Sequence, residues 1–193
     1  MVAATGNTDT NQAADDAFGY FDHAATTPMH PEAVEAMLPF FGAVFGNPSG
    51  SHRVARVARR AIDEARDVVA ECIGARPGEI VFTGCGTEAD NTAIAGVVAK
   101  VGGRAVCSAA EHHAVLDTVG HLHGSVIGVD RHGAVDLDAL EAELTAEGPP
   151  VSVVSVMAVN NEVGTVQPVA EVGTLVRRLA PGAVVHTDAV QAA

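Results

Sequence analysis

Apolar residues recur at helical spacing in the first part of this chain. Between Ser51 and Gly74 they follow intervals of three and four, which predicts one long amphipathic helix ending at Gly74 and Pro77. Its apolar positions are Val54, Val57, Ala58, Ala61, Ile62, Ala65, Val68, Val69 and Cys72. A shorter helix is expected from Pro31, with an interruption at Pro39.

From residue 79 onward, short apolar runs alternate with helical segments. The predicted strands are Glu79–Thr83, Ala105–Ser108, Ser125–Val129, Val151–Val156 and Ala183–Thr187. The predicted helices are Thr87–Lys100, one opened by Glu111–Asp117, Asp136–Leu144 and Pro168–Leu179. This alternation, without hairpin signals, predicts an α/β fold: a three-layer αβα arrangement around a mainly parallel sheet. We expect one domain at residues 20–193, preceded by a disordered polar tail at residues 1–19.

Charge and cysteine content narrow the class of protein. The chain has 193 residues, is 48% hydrophobic and carries a net charge of −13. So acidic a chain argues against nucleic acid and anionic membrane surfaces as partners, because phosphate contacts need Lys and Arg. No apolar run approaches the ~20 residues of a membrane span. The N-terminus does not resemble a signal peptide, and Cys72, Cys85 and Cys107 are widely spaced, so we expect a cytoplasmic protein without disulfides.

The turn Gly84–Glu88 lies between a predicted strand and a predicted helix. Its glycines let the backbone approach a ligand, and the helix start exposes N–H groups that suit a phosphate, with the Thr87 hydroxyl beside them. A plain strand-to-helix turn is the alternative, because neither a P-loop ending nor a GxGxxG pattern is present. Cys85 is interpreted as a small buried residue.

Two histidines, His112 and His113, open a helix directly after a strand. One of them can stack on a flat ligand or transfer protons, and the alternative is a solvent-exposed pair. A metal site that adds His121 and His123 is disfavoured, because these spacings do not put three ligands on one helix face. We therefore expect no metal.

Polar side chains also follow the last two predicted strands. Asn160 and Asn161 come after Val151–Val156, where amides either bind a ligand oxygen or cap the turn. Asp188 ends the last strand, with Gln191 three residues later. A carboxylate there can bond a ring nitrogen and keep it protonated, as pyridoxal phosphate chemistry requires, or it can cap a helix. The conjunction of four such junctions favours a common ligand site.

Six ordered motifs resemble those of cysteine desulfurases, which are pyridoxal-phosphate enzymes of the class V aminotransferase group with fold type I. The motifs are Asp22–Pro28, Gly46–His52, Phe82–Asn91, Glu111–Asp117, Val159–Gly164 and His186–Gln191. The resemblance extends from about Tyr20 to the last residue. It implies the large domain of that fold, without its C-terminal part and small domain.

The resemblance also implies roles for individual residues. The implied cofactor-binding residues are Gly86, Thr87, His112, Asn161, Asp188 and Gln191. The glycine and threonine would bind the phosphate, and the histidine would stack on the pyridine ring and act catalytically. The two amides would bond at and near the phenolic oxygen, and the aspartate would pair with the pyridine nitrogen.

The reaction implied by the resemblance removes sulfur from L-cysteine, leaving L-alanine and an enzyme persulfide. The sulfur would pass to an acceptor protein for iron–sulfur cluster or thio-cofactor assembly, and the full-length form would be a homodimer. Selenocysteine lyase, or another class V lyase, is an alternative within the group. A non-catalytic truncated or split-subunit assembly module is an alternative of another class.

This sequence departs from the family pattern at its lysine. The family's Schiff-base lysine, acceptor cysteine and carboxylate-binding arginine lie downstream of the segment matched here. The only lysine, Lys100, lies thirteen residues after Thr87, or about 20 Å along a helix. We therefore expect the chain by itself to be inactive, and to bind pyridoxal phosphate at most without a covalent link.

Overall fold

The computed structural model describes residues 19–192. The tail expected at the N-terminus lies outside these residues except for its last position. The described chain divides into two compact units, one of residues 28–89 and one of residues 19–27 with 90–192.

The 28–89 unit is built on the long helix that the apolar spacing predicts. Its elements are α1 (Pro31–Met37), a 3₁₀ helix (Leu38–Phe41), α2 (Arg53–Ile73) and a second 3₁₀ helix (Pro77–Glu79). Pro39 lies in the 3₁₀ turn that follows α1, where its missing N–H interrupts the α-helix as predicted. Gly74 ends α2 at φ 68°, the left-handed conformation that glycine adopts without strain.

The strand predicted at Glu79–Thr83 is wrong. Residues 77–79 form the 3₁₀ helix, and residues 80–83 have no strand partner within the described chain. Val81 is 74% exposed, and Phe82 is 49% exposed with the Arg66 guanidinium 5.1 Å from its ring centroid. A strand exists only where a neighbour completes its hydrogen bonds, so an apolar run without one stays merely extended.

The second unit contains a four-stranded parallel sheet. Its strands are β1 (Arg104–Ser108), β2 (Ser125–Ile127), β3 (Val151–Ser155) and β4 (Val184–His186), in the order β2-β1-β3-β4. The helices are α3 (Gly86–Val101), of which residues 90–101 belong to this unit, α4 (His113–His121), α5 (Leu137–Thr145) and α6 (Val169–Leu179). Asp136 caps α5 by accepting the N–H groups of Asp138 and Ala139, as its position predicts. The predicted α/β class is confirmed.

Buried side chains cover both faces of this sheet. One cluster contains Val106 and Val154 with Leu140, Val172 and Val176 from α5 and α6. The other contains Ala105, Cys107 and Val153 with Ile94, Val115 and Val119 from α3 and α4. Neighbouring strand residues enter opposite clusters because side chains alternate across a strand. The unit is therefore three-layered, as predicted.

The loops that follow β1, β3 and β4 meet at one edge of the sheet. All strand pairings are parallel, and the register places Ser155 opposite both Cys107 and His186. Ligands of open α/β sheets bind at this carboxyl edge. Within the described residues, no helix combines the length and apolarity needed to cross a membrane.

Candidate active site

Asn160 bonds the loop after β3 to the loop after β1. Its Nδ2 donates to the Ala110 carbonyl at 2.9 Å, and its Oδ1 accepts the N–H groups of Glu162 and Val163, both at 2.9 Å. The neighbouring Asn161 is exposed, and the described chain shows no hydrogen bond from its side chain. The two roles left open for this amide pair are thus divided: Asn160 caps the turn, and Asn161 is left available for a ligand.

His112 caps helix α4 and lines an open groove. Its Nδ1 accepts the Ala114 N–H at 3.1 Å, which leaves Nε2 to carry the proton of the neutral ring. The groove has a volume of about 280 Å³ and is lined by residues of the loops after β1 and β3, including His112, His113 and Asn161. The structure therefore brings the predicted His112 and Asn161 to one cleft.

Asp188 bonds the loop after β4 to the segment after β3. Its carbonyl accepts the Ala158 N–H at 2.8 Å, and its Oδ1 accepts the Val190 N–H at 2.9 Å. The second bond is local, joining the carboxylate to a backbone N–H two residues further on. Gln191 is exposed, and the described residues provide no hydrogen-bond partner for its side chain.

Asp90, a residue that the motif pattern did not single out, lies within electrostatic reach of both Asp188 and His112. The pKa of Asp90 is raised to about 6, chiefly by burial and also by the charge of Asp188, and His112 opposes the rise. Asp90 is 6% exposed, on the first turns of α3. The three side chains therefore share one region at the carboxyl edge of the sheet.

A buried polar chain lies beside this region. The Ser155 hydroxyl oxygen lies 3.2 Å from Oε2 of Glu111 and 2.9 Å from Nδ1 of His186, within hydrogen-bond distance of both. Nε2 of His186 lies 3.5 Å from Oδ1 of Asp90, and Oε1 of Glu111 accepts the Met157 N–H. Sequence reasoning assigned no role to these groups. The available signals were Ser155, a polar residue within a valine-rich strand, and the positions of Glu111, His186 and Asp90 inside the family-like motifs.

Burial is the main influence on the pKa values of Glu111 and His186. The pKa of Glu111 is raised to about 7, chiefly by burial; hydrogen bonds with Met157 and Ser155 oppose the rise, and the charges of Asp188 and Asp90 contribute to it. Burial lowers the pKa of His186, and the charge of Asp188 opposes that change. A carboxyl group whose pKa is strongly raised by burial marks a candidate functional site, because such shifted pKa values cluster at active sites.

Gly86 and Thr87 belong to the 28–89 unit, where they begin helix α3. The Gly84 N–H donates to Oε2 of Glu88 at 2.7 Å. The exposed N–H groups of Gly86 and Thr87 find no acceptor within the described residues, so this turn fits a phosphate.

Cys85 is exposed, so its interpretation as a buried residue is wrong. The residues before it, 80–83, form no strand in the described chain.

Cys107 and Lys100 lie in a strand and a helix and not in these loops. Cys107 is buried in β1, where burial, with a smaller contribution from Glu111, raises the pKa of its thiol to about 12. Such a thiol is a poor nucleophile at neutral pH. Lys100 lies in the last turn of α3, whereas Gly86 is its first residue.

Comparison with known proteins places this arrangement in a family. The family model described as "Aminotransferase class-V" matches residues 19–193. The chain belongs to the aminotransferase class-V family. Among curated relatives, an "IscS-like cysteine desulfurase" of Mycobacterium tuberculosis is 43% identical over 185 residues, covering 90% of this chain and 46% of the relative. The "Putative cysteine desulfurase IscS 1" of Bacillus subtilis is 44% identical over 181 residues, covering 90% of this chain and 46% of the relative.

Solved structures of the same family confirm the fold. A "NIFS-LIKE PROTEIN" is 37% identical with a TM-score of 0.79, over 88% of this chain and 48% of that chain. "SspA in complex with cysteine" is 35% identical with a TM-score of 0.79, over 90% of this chain and 51% of that chain. The fold is thus that of the large domain of fold type I, and the predicted resemblance is confirmed. This chain spans about half the length of the relatives it matches.

Proposed function

We propose that this chain carries the cofactor-binding part of a cysteine desulfurase and holds pyridoxal 5'-phosphate at the carboxyl edge of its sheet. The observations that support the proposal are the cleft that His112 and Asn161 both line, and Asp90, whose pKa is affected by both His112 and Asp188. An aromatic ring, an unengaged amide and a carboxylate are the groups that a charged pyridine ring requires.

The chain's residues divide the task of binding. The N–H groups of Gly86 and Thr87, with the Thr87 hydroxyl, bind the phosphate, because the start of a helix favours anions. Asp188 accepts a hydrogen bond from the pyridine nitrogen, and Asn161 and Gln191 bond at and near the phenolic oxygen. The bound cofactor supplies an electron sink for the substrate's bonds.

His112 stacks on the ring and moves protons. Because its Nδ1 is occupied by the Ala114 N–H, protons enter and leave at Nε2. The cap also fixes the ring at the first turn of α4, so its orientation is set before any ligand arrives. This preorganisation lowers the entropy cost of binding.

The proposed substrate is L-cysteine, with alanine as product and sulfur retained on an enzyme cysteine before transfer to an acceptor protein. The relatives' names and the SspA complex with cysteine support this choice. The buried Cys107 is unsuited to accept sulfur. We further propose that the complete enzyme is a cytoplasmic homodimer serving iron–sulfur cluster assembly, in keeping with the family.

The 193 residues by themselves are proposed to bind the cofactor without a covalent bond and without turning over cysteine. Their one lysine, Lys100, lies in the last turn of α3, so it does not take the role of the family's Schiff-base lysine. Borohydride treatment of the loaded chain is expected to leave the cofactor extractable. A reducible adduct on Lys100 would contradict this part of the proposal.

A chimera tests the proposed reaction. Residues 19–193 replace the matching segment of the Mycobacterium tuberculosis relative, and alanine release is measured with L-cysteine and with L-selenocysteine. Alanine and a protein persulfide from L-cysteine are expected. A chimera that binds the cofactor but releases alanine only from selenocysteine would favour a selenocysteine lyase. One that binds the cofactor and acts on neither amino acid would contradict the proposal.

A further inference from the structure

Four polar side chains form a continuous path through the interior of the sheet-bearing unit. Glu111 follows β1, Ser155 ends β3, His186 ends β4 and Asp90 lies on α3. The successive separations are 3.2 Å, 2.9 Å and 3.5 Å. Strand register fixes the path, because Ser155 is paired directly with His186. The contact between His186 and Asp90 is the longest and therefore the weakest link.

The protons on these four groups allow only certain combinations of donor and acceptor along the path. The Ser155 hydroxyl has one proton, so it donates either to Glu111 or to His186 and accepts from the other. Burial disfavours the charged form of His186, so its ring carries one proton, on either Nδ1 or Nε2. Each choice at one residue consequently determines the choice at the next.

We propose that Glu111, Ser155, His186 and Asp90 form a proton relay that carries one negative charge and moves it between the Glu111 end and the Asp90 end. The relay uses only residues of this chain, so it stands independently of the proposed function. Glu111 and Ser155 are 6% and 0% exposed, which keeps competing water away from that end of the path.

The transfer is balanced in protons and charge. In the first arrangement Glu111 is protonated and donates to Ser155, Ser155 donates to Nδ1 of His186, and Nε2–H of His186 faces the Asp90 carboxylate. In the second, each proton has moved one step toward Asp90. Asp90 is then protonated, His186 carries its proton on Nδ1, and Glu111 is the carboxylate. No proton is gained or lost, and the negative charge has moved from Asp90 to Glu111.

The surrounding charges give the relay a preferred arrangement. Asp188 acts on all three titratable members, His112 acts on Asp90, and the Cys107 thiol lies near Glu111. The pKa of Glu111 is raised to about 7 and that of Asp90 only to about 6, so Asp90 loses its proton first and the first arrangement, with the charge on Asp90, is preferred. A change of charge beside Asp188 and His112 shifts the balance, so the relay couples that region to the interior.

The tautomer of His186 reports the position of the relay. The 193-residue chain, labelled with ¹⁵N histidine, is titrated from pH 5 to pH 9 and the ring nitrogens are followed by NMR. Signals of His186 are assigned by their loss in His186→Gln. The expected result is a proton on Nε2 at low and neutral pH, and movement to Nδ1 as Glu111 loses its proton. An imidazole that gains a second proton in this range, without a tautomer change, would overturn the relay.

Variants separate the relay from packing. Glu111→Gln donates permanently to Ser155, so the Nε2 proton is expected to remain at every pH. Ser155→Ala is expected to abolish the pH-dependent tautomer change, and Ser155→Thr, which retains a hydroxyl, to restore it. Ser152→Ala is the matched control, because Ser152 is buried in the same strand but donates to the Arg104 carbonyl. Equal tautomer changes in Ser155→Ala and Ser152→Ala would overturn the proposal.

Discussion

The carboxylate of Glu111 accepts the backbone N–H of Met157, so the loop after β1 is bonded directly to the segment that leaves β3. The same side chain is 6% exposed, and burial raises its pKa to about 7. One buried acid thus joins two of the loops that carry the candidate site. The cost of burying it makes the stability of the protein depend on pH.

We predict that the free energy of unfolding falls as pH rises between about 4.5 and about 7. In this range folded Glu111 binds a proton that the unfolded chain has released, so raising the pH favours unfolding. Glu111→Gln carries no charge at either end of the range, so its stability should depend less on pH. At pH 8 it should exceed the parent protein by up to about 3 kcal/mol in urea unfolding.

The matched control for that experiment is Glu162→Gln, on the exposed loop after β3. It should show the same pH dependence as the parent protein. Part of the slope should survive in Glu111→Gln, because the pKa of Asp90 is also raised, to about 6. If the free energy of unfolding depended on pH identically in the parent protein and in Glu111→Gln, burial would not raise the pKa of Glu111.

The adjacent asparagines should separate stability from ligand binding. Asn160→Ala leaves the Ala110 carbonyl and the N–H groups of Glu162 and Val163 without their partner, so it should cost about 1–3 kcal/mol in urea unfolding. Asn161→Ala should change stability by less than about 0.5 kcal/mol, as exposed substitutions do, and weaken cofactor binding. The division of roles would be wrong if Asn161→Ala were the more destabilising of the two.

Two consecutive glycines before β1 should respond differently to alanine. Gly102 and Gly103 both have positive φ, 73° and 84°, so each alanine carries the backbone strain of about 1–2 kcal/mol. A Cβ on Gly102 would meet open space, whereas one on Gly103 would clash with the Pro150 carbonyl oxygen. Gly103→Ala should therefore lower the thermal midpoint clearly more than Gly102→Ala. Equal midpoints would mean that β1 and the Pro150 segment are less closely packed than described.

The helices and the buried strands were predictable because their signals are local. The spacing of apolar residues in α2, and Asp136 before α5, each specify an element without reference to the rest of the chain. The segment Glu79–Thr83 carries the same apolar signal as a strand but lacks a partner within the described residues. Strand formation depends on a distant neighbour, so the sequence pattern could not decide it.

The candidate site residues could be proposed from the sequence because each stands at the end of a predicted strand. His112, Asn161 and Asp188 each follow a strand, and a parallel sheet brings such positions together. The buried path was not recognisable, because Ser155, His186 and Asp90 acquire their roles only through strand register and helix packing. Glu111 and His186 lie within the family-like motifs Glu111–Asp117 and His186–Gln191. A motif does not indicate whether the acid in it is buried or exposed.

The most direct test of the central claim is a titration of the 193-residue chain with pyridoxal 5'-phosphate, followed by the cofactor's absorbance. We expect saturable binding that pyridoxal without its phosphate matches only at much higher concentration. Asp188→Asn should weaken binding about tenfold or more, because it replaces a charge-assisted bond with a neutral one. Asp117→Asn, an exposed change on α4, should leave it unaltered. Absence of saturable binding, or equal affinities for Asp188→Asn and the parent chain, would contradict the account.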